Sequence, residues 1–412
     1  QRLLGIAQLA GRYADAEELC GDLMREPSVL KVAALRVAAG RTRLEVRAQR
    51  GESPAITVQG FASLLLEARA SGAVREEVLL LTGISDIHAR QGSWTDAQRL
   101  ARAARDAAMP LDDVELRADT IVRLGTALLD TDPASALRHF EEASELYTAI
   151  DHRFGLARCL VNIGIARQRV GANGEAEAAY REALAMAEAG HIVDLAGLAA
   201  LNLGVLLTRT GRYEHADAQF QDAMRCFRKV KSEPRRLATL YNLAHLAHEQ
   251  GDAAKAHDIA RTATDLAGEL GMEHVRVAAL ARMGLAAIAL GTMTEVEDVR
   301  RELVGYCART PGWFKGRESV EAFLARYALQ QGAVSVAAEH FRAAAAALRT
   351  DPYDAAWMVA ECAGLFRASR DPELRGHLAA AHRTATELGY VPLVRRLGSA
   401  LRVSSVMPVL PS

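Results

Sequence analysis

Apolar residues recur every three to four positions through most of the chain, the spacing that gives a helix one buried stripe. These stretches are punctuated at regular marks. Gly171, Gly211, Gly251 and Gly291 stand 40 residues apart, each at the end of an apolar-periodic run. The same ruler reaches Gly332 toward one end and Gly92, Gly51 and Gly11 toward the other. Where glycine is missing, near 131 and 371, Asp130-Thr131-Asp132-Pro133 and Arg370-Asp371-Pro372 supply turn chemistry instead. Ala176, Ala216, Ala256 and Ala337 lie five residues after their glycines, and Ala183, Ala223, Ala263 and Ala344 lie twelve after. Tyr180, Phe220 and Phe341 sit between them, nine after the glycine.

A glycine closing one helix can adopt the left-handed conformation that reverses the chain. Small alanines let the second helix approach the first, and an aromatic fills the space between layers. One such pair cannot bury its apolar face alone, so pairs must stack. The pattern predicts an all-α protein of about ten helix-turn-helix units, with nearly no β-structure. The repeat region is expected over residues 1–396, with degenerate units near 37–77 and 291–317, and a helix end and tail or linker over 397–412. In the weak units Ile56 and Gly60, and later Val296 and Leu303, replace the expected residues. The chain opens about four residues into a helix, so a segment of a longer polypeptide is expected.

The run Asn202-Leu203-Gly204, then Gly211-Arg212-Tyr213, Ala216, Phe220 and Ala223, resembles the tetratricopeptide repeat. Asn162-Ile163-Gly164 with Gly171, Ala176, Tyr180 and Ala183 resembles it too, as does Asn242-Leu243-Ala244 with Gly251, Ala256 and Ala263. The longer repeat is similar to the arrays of kinesin light chains and of large bacterial signalling ATPases and transcriptional activators. The resemblance implies a right-handed superhelical solenoid with a concave face.

Half the residues are hydrophobic, a quarter are charged and the net charge is −1, which excludes wholesale disorder and a generally basic nucleic-acid binder. The five cysteines, Cys20, Cys159, Cys226, Cys307 and Cys362, are isolated and lack a C-x-x-C pair, so neither a disulfide framework nor a zinc ribbon is expected. No apolar run approaches the ~20 residues that span a bilayer; the longest, residues 195–207, is interrupted by Asn202. A cytoplasmic location without membrane contact is expected.

Phosphate-loop, kinase, G-x-S-x-G and H-E-x-x-H signatures are missing, so no catalysis, cofactor or metal is expected. His245-x-x-His248-Glu249 approaches a metal motif but lacks a third ligand. Arg225, Arg228, Lys229, Lys231, Arg235 and Arg236 crowd one inter-repeat junction, either as an anion patch or as a solvated loop at a helix C-terminus. Pro311-Gly312-Trp313-Phe314 offers either an exposed anchor or a plug over the irregular unit.

The resemblance places one first-helix position on the inner groove, and in five successive repeats it reads Arg123, Asn162, Asn202, Asn242 and Arg282. Asparagine is a mediocre helix former, so its recurrence there needs a reason. An amide both donates and accepts, which suits an extended peptide backbone; in peptide-binding relatives, inner asparagines with arginines or lysines do this work. The alternative is that each asparagine bonds a neighbouring helix and fixes packing. Tyr241, His245, Arg158, Arg169 and Arg209 are expected on the same surface. The expected role is a non-enzymatic scaffold or sensor for a peptide or protein segment. The second reading is the regulatory sensor of a larger ATPase-type transcriptional regulator or kinase, answering a small molecule or a partner, other domains of the same polypeptide included.

Overall fold

A computed structural model of the chain describes residues 32–49, 53–310, 316–347, 351–368 and 372–405, with isolated positions between 18 and 29. The marks at Gly11, Gly51 and Arg370-Asp371, the start of the chain, the 311–314 aromatics and the last seven residues lie outside that set. Every regular element among the described residues is an α-helix. No helix there is long and apolar enough to cross a membrane. The chain divides into two compact units, residues 1–159 and 160–412.

The first unit contains α1 (Ala33–Gln49), α2 (Pro54–Ala70), α3 (Val74–Arg90), α4 (Trp94–Ala108), α5 (Val114–Leu128), α6 (Pro133–Ala149) and the start of α7 (Arg153–Arg169). Its helices pack neighbour on neighbour around Val37, Phe61, Leu80, Ile84, Ile87 and Leu100. The degenerate 37–77 stretch is still a helical hairpin. Gly60 faces α1 there: a Cβ would stand 2.7 Å from a terminal methyl of Leu44, which would have to turn aside. Asp113 and Asp132 cap α5 and α6, accepting from the Leu116 and Ser135 amides at 2.9 and 3.0 Å.

The second unit carries the rest of α7 and continues with α8 (Asn173–Ala189), α9 (Val193–Arg209), α10 (Tyr213–Lys229), α11 (Glu233–Glu249), α12 (Ala253–Glu269), α13 (Glu273–Leu290) and α14 (Met293–Arg309). It ends with α15 (Arg317–Gln330), α16 (Val334–Ala347), α17 (Pro352–Glu361), α18 (Ala363–Ala368), α19 (Pro372–Glu387) and α20 (Val391–Ser405). Aromatics from second helices lie on glycines of first helices. A Cβ on Gly164 would stand 2.4 Å from Tyr180, and one on Gly204 would stand 2.7 Å from Phe220. In the next hairpin the pair is Ala244 with Ala260, both buried. In the irregular unit Arg300 occupies the aromatic position, and Phe323 of α15 reaches in to cover Gly284.

The glycine marks behave as their spacing predicts: Gly92, Gly171, Gly211, Gly251, Gly291 and Gly332 all have positive φ, between 71° and 85°. A second set of left-handed residues lies in the alternate turns. These are Asp151, His191, Lys231 and Gly271, again 40 apart, with φ of 50°, 55°, 54° and 65°. An L-residue there is strained by about 1 kcal/mol. Lys231 is exposed and has little packing to lose. Lys231→Gly should therefore raise stability by up to ~1 kcal/mol, read as a higher chemical-denaturation midpoint.

Candidate binding groove

Asn162 with Arg169, Asn202 with Arg209, and Asn242 with Glu249 occupy equivalent places on α7, α9 and α11, 40 residues apart. Seven residues are nearly two helical turns, so both members of each pair lie on one face. The three asparagines are half-buried. Asn202 and Asn242 each donate to the carbonyl four residues back, Leu198 at 2.9 Å and Ala238 at 2.8 Å. Neither bond reaches a neighbouring helix. One amide hydrogen is spent on the helix itself, and the side-chain oxygen and second hydrogen are left over.

The far ends of the pairs reach a single element, α17. Arg209 donates to both oxygens of Asp351, at 3.2 and 2.9 Å, and to Asp354 at 3.3 Å. Arg169 lies 2.9 Å from the same Asp351 carboxylate. The Asp351 side chain is only 5% exposed and that of Arg209 13%. Burial opposes ionisation of Asp351, but Arg209 and then Arg169 outweigh it and hold the carboxyl below its usual range. Asp351 also caps α17, accepting from the Tyr353 amide at 3.0 Å. One carboxylate thus ends a helix and ties two distant helices to it.

Next along the strip, Arg282 donates to His245 Nδ1 at 2.9 Å. Nδ1 is therefore the acceptor, and Nε2–H donates to the Tyr353 hydroxyl at 3.1 Å. Burial and then the Arg282 charge push the imidazole well below its ordinary pKa, consistent with this neutral tautomer. The Arg282 guanidinium lies 4.3 Å from the Tyr241 ring centroid and 5.2 Å from that of Trp357. Tyr241 meets Ser319 at 3.0 Å.

The last contacts form an ion-pair knot. Trp357 Nε1 donates to Glu249 at 3.1 Å, and His248 meets Glu361 at 2.9 Å. Arg396 bridges Glu249 and Glu361, and Arg326 donates to Glu361 at 2.8 Å. Both carboxylates are fully enclosed. Burial raises the Glu249 carboxyl, whereas at Glu361 the cations, Arg396 foremost, overcome burial and hold it well below the usual range. His248, Glu249 and Glu361 bring ligand-type atoms within 4.8 Å of one another, while His245, the first histidine of the His-x-x-His-Glu pattern, is not part of that group. Arg326 and Arg396 already neutralise its two acids.

A cavity of 330 Å³ lies beside the strip, lined by Leu237, Tyr241, Asn242, Met272, Val275 and Glu318. Burial and then Asp354 raise the Glu318 carboxyl to about 7, and burial with Asp351 raises Asp354 to about 6. A carboxyl raised on folding favours the native state while neutral, and its contribution is lost as pH rises through the folded-state value. Glu318→Gln should leave the thermal midpoint unchanged near about pH 5 and raise it near about pH 8, measured by circular dichroism.

Two further candidates precede the strip in sequence, and Arg158 lies on α7 one turn before Asn162. Arg123 and Arg158 belong to the first unit, where Arg123 pairs with Asp86 at 3.0 Å and Arg158 with Asp119 and the Tyr147 hydroxyl. Among the basic cluster, Arg225 pairs with Asp222, Arg235 with Asp194 at 3.1 Å and Arg236 with Glu233 at 2.6 Å. That pairing is the solvated-junction alternative. Asp351, Asp354, Tyr353, Trp357 and Glu361 were not legible as partners of the strip. The only local signal was Asp351-Pro352, a helix start like Asp132-Pro133.

Among solved structures, the chain is similar to a Rap protein complexed with competence and sporulation factor, at 13% identity and TM-score 0.59, covering 90% of this chain and 99% of that one. It is similar to NprR in complex with its cognate peptide NprX, at 15% identity and TM-score 0.51, covering 80% and 91%. It is also similar to a signal transduction ATPase with numerous domains and a tetratricopeptide repeat sensor, from Pyrococcus horikoshii. There the identity is 15%, the TM-score 0.51, and the coverage 81% of this chain and 51% of that one. At these identities the likeness is one of fold. No curated protein matches the chain by sequence. A family model described as tetratricopeptide repeat matches residues 130–189 and 196–269, the stretch where the glycine, alanine and aromatic marks are most regular. Repeat frame, helical hairpins and family model coincide there: residues 130–189 and 196–269 are tetratricopeptide repeats.

Proposed function

We propose that the second unit is a non-enzymatic sensor that captures a peptide, or an extended segment of a partner protein, along the strip of α7, α9 and α11. The observation that carries this reading is the repeated pairing of an inner asparagine with a long polar side chain two turns on: Asn162/Arg169, Asn202/Arg209 and Asn242/Glu249. Packed helices are ~8–10 Å apart, and an extended chain advances ~3.3 Å per residue. Each repeat therefore meets about three ligand residues. The amide groups left over at Asn202 and Asn242 suit the ligand's backbone. Two of the similar structures hold peptides, a Rap protein with competence and sporulation factor and NprR with NprX, which supports the reading.

The test is a triple Asn162/Asn202/Asn242→Ala variant, with peptides selected from a random display library on the unaltered protein as the probe. Alanine is the better helix former by about 0.5 kcal/mol per site, so the variant should be at least as stable. Each lost amide contact costs ~0.5–1.5 kcal/mol, so binding should weaken ten-fold or more. A variant that unfolds, or that binds the selected peptides unchanged, refutes the role. The second reading, a sensor segment within a larger ATPase-type regulator, draws on the likeness to the Pyrococcus horikoshii ATPase with its tetratricopeptide repeat sensor. A phosphate loop elsewhere in the same polypeptide would favour it.

A further inference from the structure

The strip proposed to hold a ligand already holds part of its own chain. Asp351 sits on Arg169 and Arg209, Tyr353 on His245 and under the Arg209 guanidinium at 4.5 Å, and Trp357 on Glu249 and Arg282. Except for Arg282 with Trp357, these partners lie more than 100 residues apart in sequence. The backbone of α17 rests mainly on α19 and α20. Its contacts with α9 and α11 are therefore carried by long side chains. Such contacts can be exchanged for those of another chain without dismantling the hairpin that supports α17.

We propose that the Asp351–Trp357 face is an internal stand-in for the ligand, and that the groove takes an acidic–aromatic segment of a partner protein by exchange with it. This rests on the capture role above and specifies its chemistry. The incoming segment carries an aspartate for the Arg169/Arg209 pair and an aromatic two residues later for His245. A planar guanidinium pair recognises a carboxylate bidentately, as Arg209 does with Asp351. The His245 Nε2–H, held by Arg282 on Nδ1, recognises a phenolic or other acceptor-bearing ring. Three guanidiniums, Arg169, Arg209 and Arg282, select for negative charge along this edge. Until a partner arrives, the stand-in pairs Arg169 and Arg209 with Asp351 and covers Arg282 with the Trp357 ring.

The probe is a fluorescein-labelled peptide with the sequence of residues 350–361, TDPYDAAWMVAE. It is titrated by fluorescence anisotropy into the whole chain, unaltered and with Asp351→Asn plus Tyr353→Phe, conservative changes that weaken the internal contact. The altered chain should bind at least ten-fold more tightly. Adding Arg209→Gln, or replacing the first aspartate of the peptide by asparagine, should remove that gain. In the unaltered chain, excess peptide should speed amide exchange across 352–361, a readout that needs no variant. Equal binding by both chains, or an asparagine peptide that binds as well as the aspartate one, overturns the exchange. If library-selected peptides bind through the three asparagines but the acidic–aromatic peptide neither binds nor competes, the capture role stands and the stand-in falls.

Discussion

Arg209→Ala should destabilise the second unit by about 3 kcal/mol. The Asp351 carboxylate is almost fully enclosed and receives two of its hydrogen bonds from Arg209. Removing the guanidinium leaves a buried anion with Arg169 as its remaining cation and exposes the Tyr353 ring face that Arg209 covers. The asymmetry between a satisfied buried pair and a half-pair makes the loss larger than the worth of the contact. Repeat arrays do not unfold as one step, so the effect should be local first. Amide exchange should accelerate across 351–361 before the helices of α7 to α10 respond. Asp351→Asn should restore much of the loss in the Arg209→Ala background, because the surviving partner is then neutral. If the two changes are additive, the pair is not what holds α17 in place.

Gly204→Val should cost a similar amount, about 3 kcal/mol, by a different route. The first carbon of any side chain there would stand 2.7 Å from Phe220, whose ring is fully buried with nowhere to retreat. Helix propensity favours valine over glycine by only about 0.3 kcal/mol, so the sign tells which term wins. Gly174→Ala is the control, because a Cβ at that helical position meets nothing within 4 Å. It should be neutral or slightly stabilising. Phe220→Ala should be harmful alone and partly compensating together with Gly204→Val. Thermal or urea unfolding of the four proteins measures both statements.

Much of this fold is written in the chain because its determinants are local and repeated. Gly171, Gly211 and Gly251 reverse the chain for reasons confined to one turn. Ala216 and Phe220 pack within the hairpin that contains them. Asp151, His191 and Lys231 were illegible for the opposite reason: no residue type announces a left-handed conformation when the side chain is ordinary. The surroundings impose it, and only Gly271 marks that series. The contact between the strip and α17 was illegible in a further sense. Arg209 and Asp351 are 142 residues apart, and nothing in either neighbourhood names the other. The periodic asparagines could be found from spacing, and the back-bonds of Asn202 and Asn242 could not. Nor could Phe323's service to Gly284, since the residue at the expected place is Arg300.

The complementary pairs also bear on how such a chain can be shuffled. Gly204 with Phe220 and Ala244 with Ala260 fill a similar space in two incompatible ways. Joining α9 to α12 would set a glycine against an alanine and leave a void, while joining α11 to α10 would press Ala244 against a phenylalanine. A crossover at Gly211 or Gly251 produces such mismatches, whereas one at His191 or Lys231 keeps each pair intact. The heritable block of this protein is therefore the hairpin with its glycine turn inside it. Chimeras cut at the strained alternate turns should fold, and chimeras cut at the glycines should lose a few kcal/mol to cavities or overpacking, about 1–3 per mismatched pair.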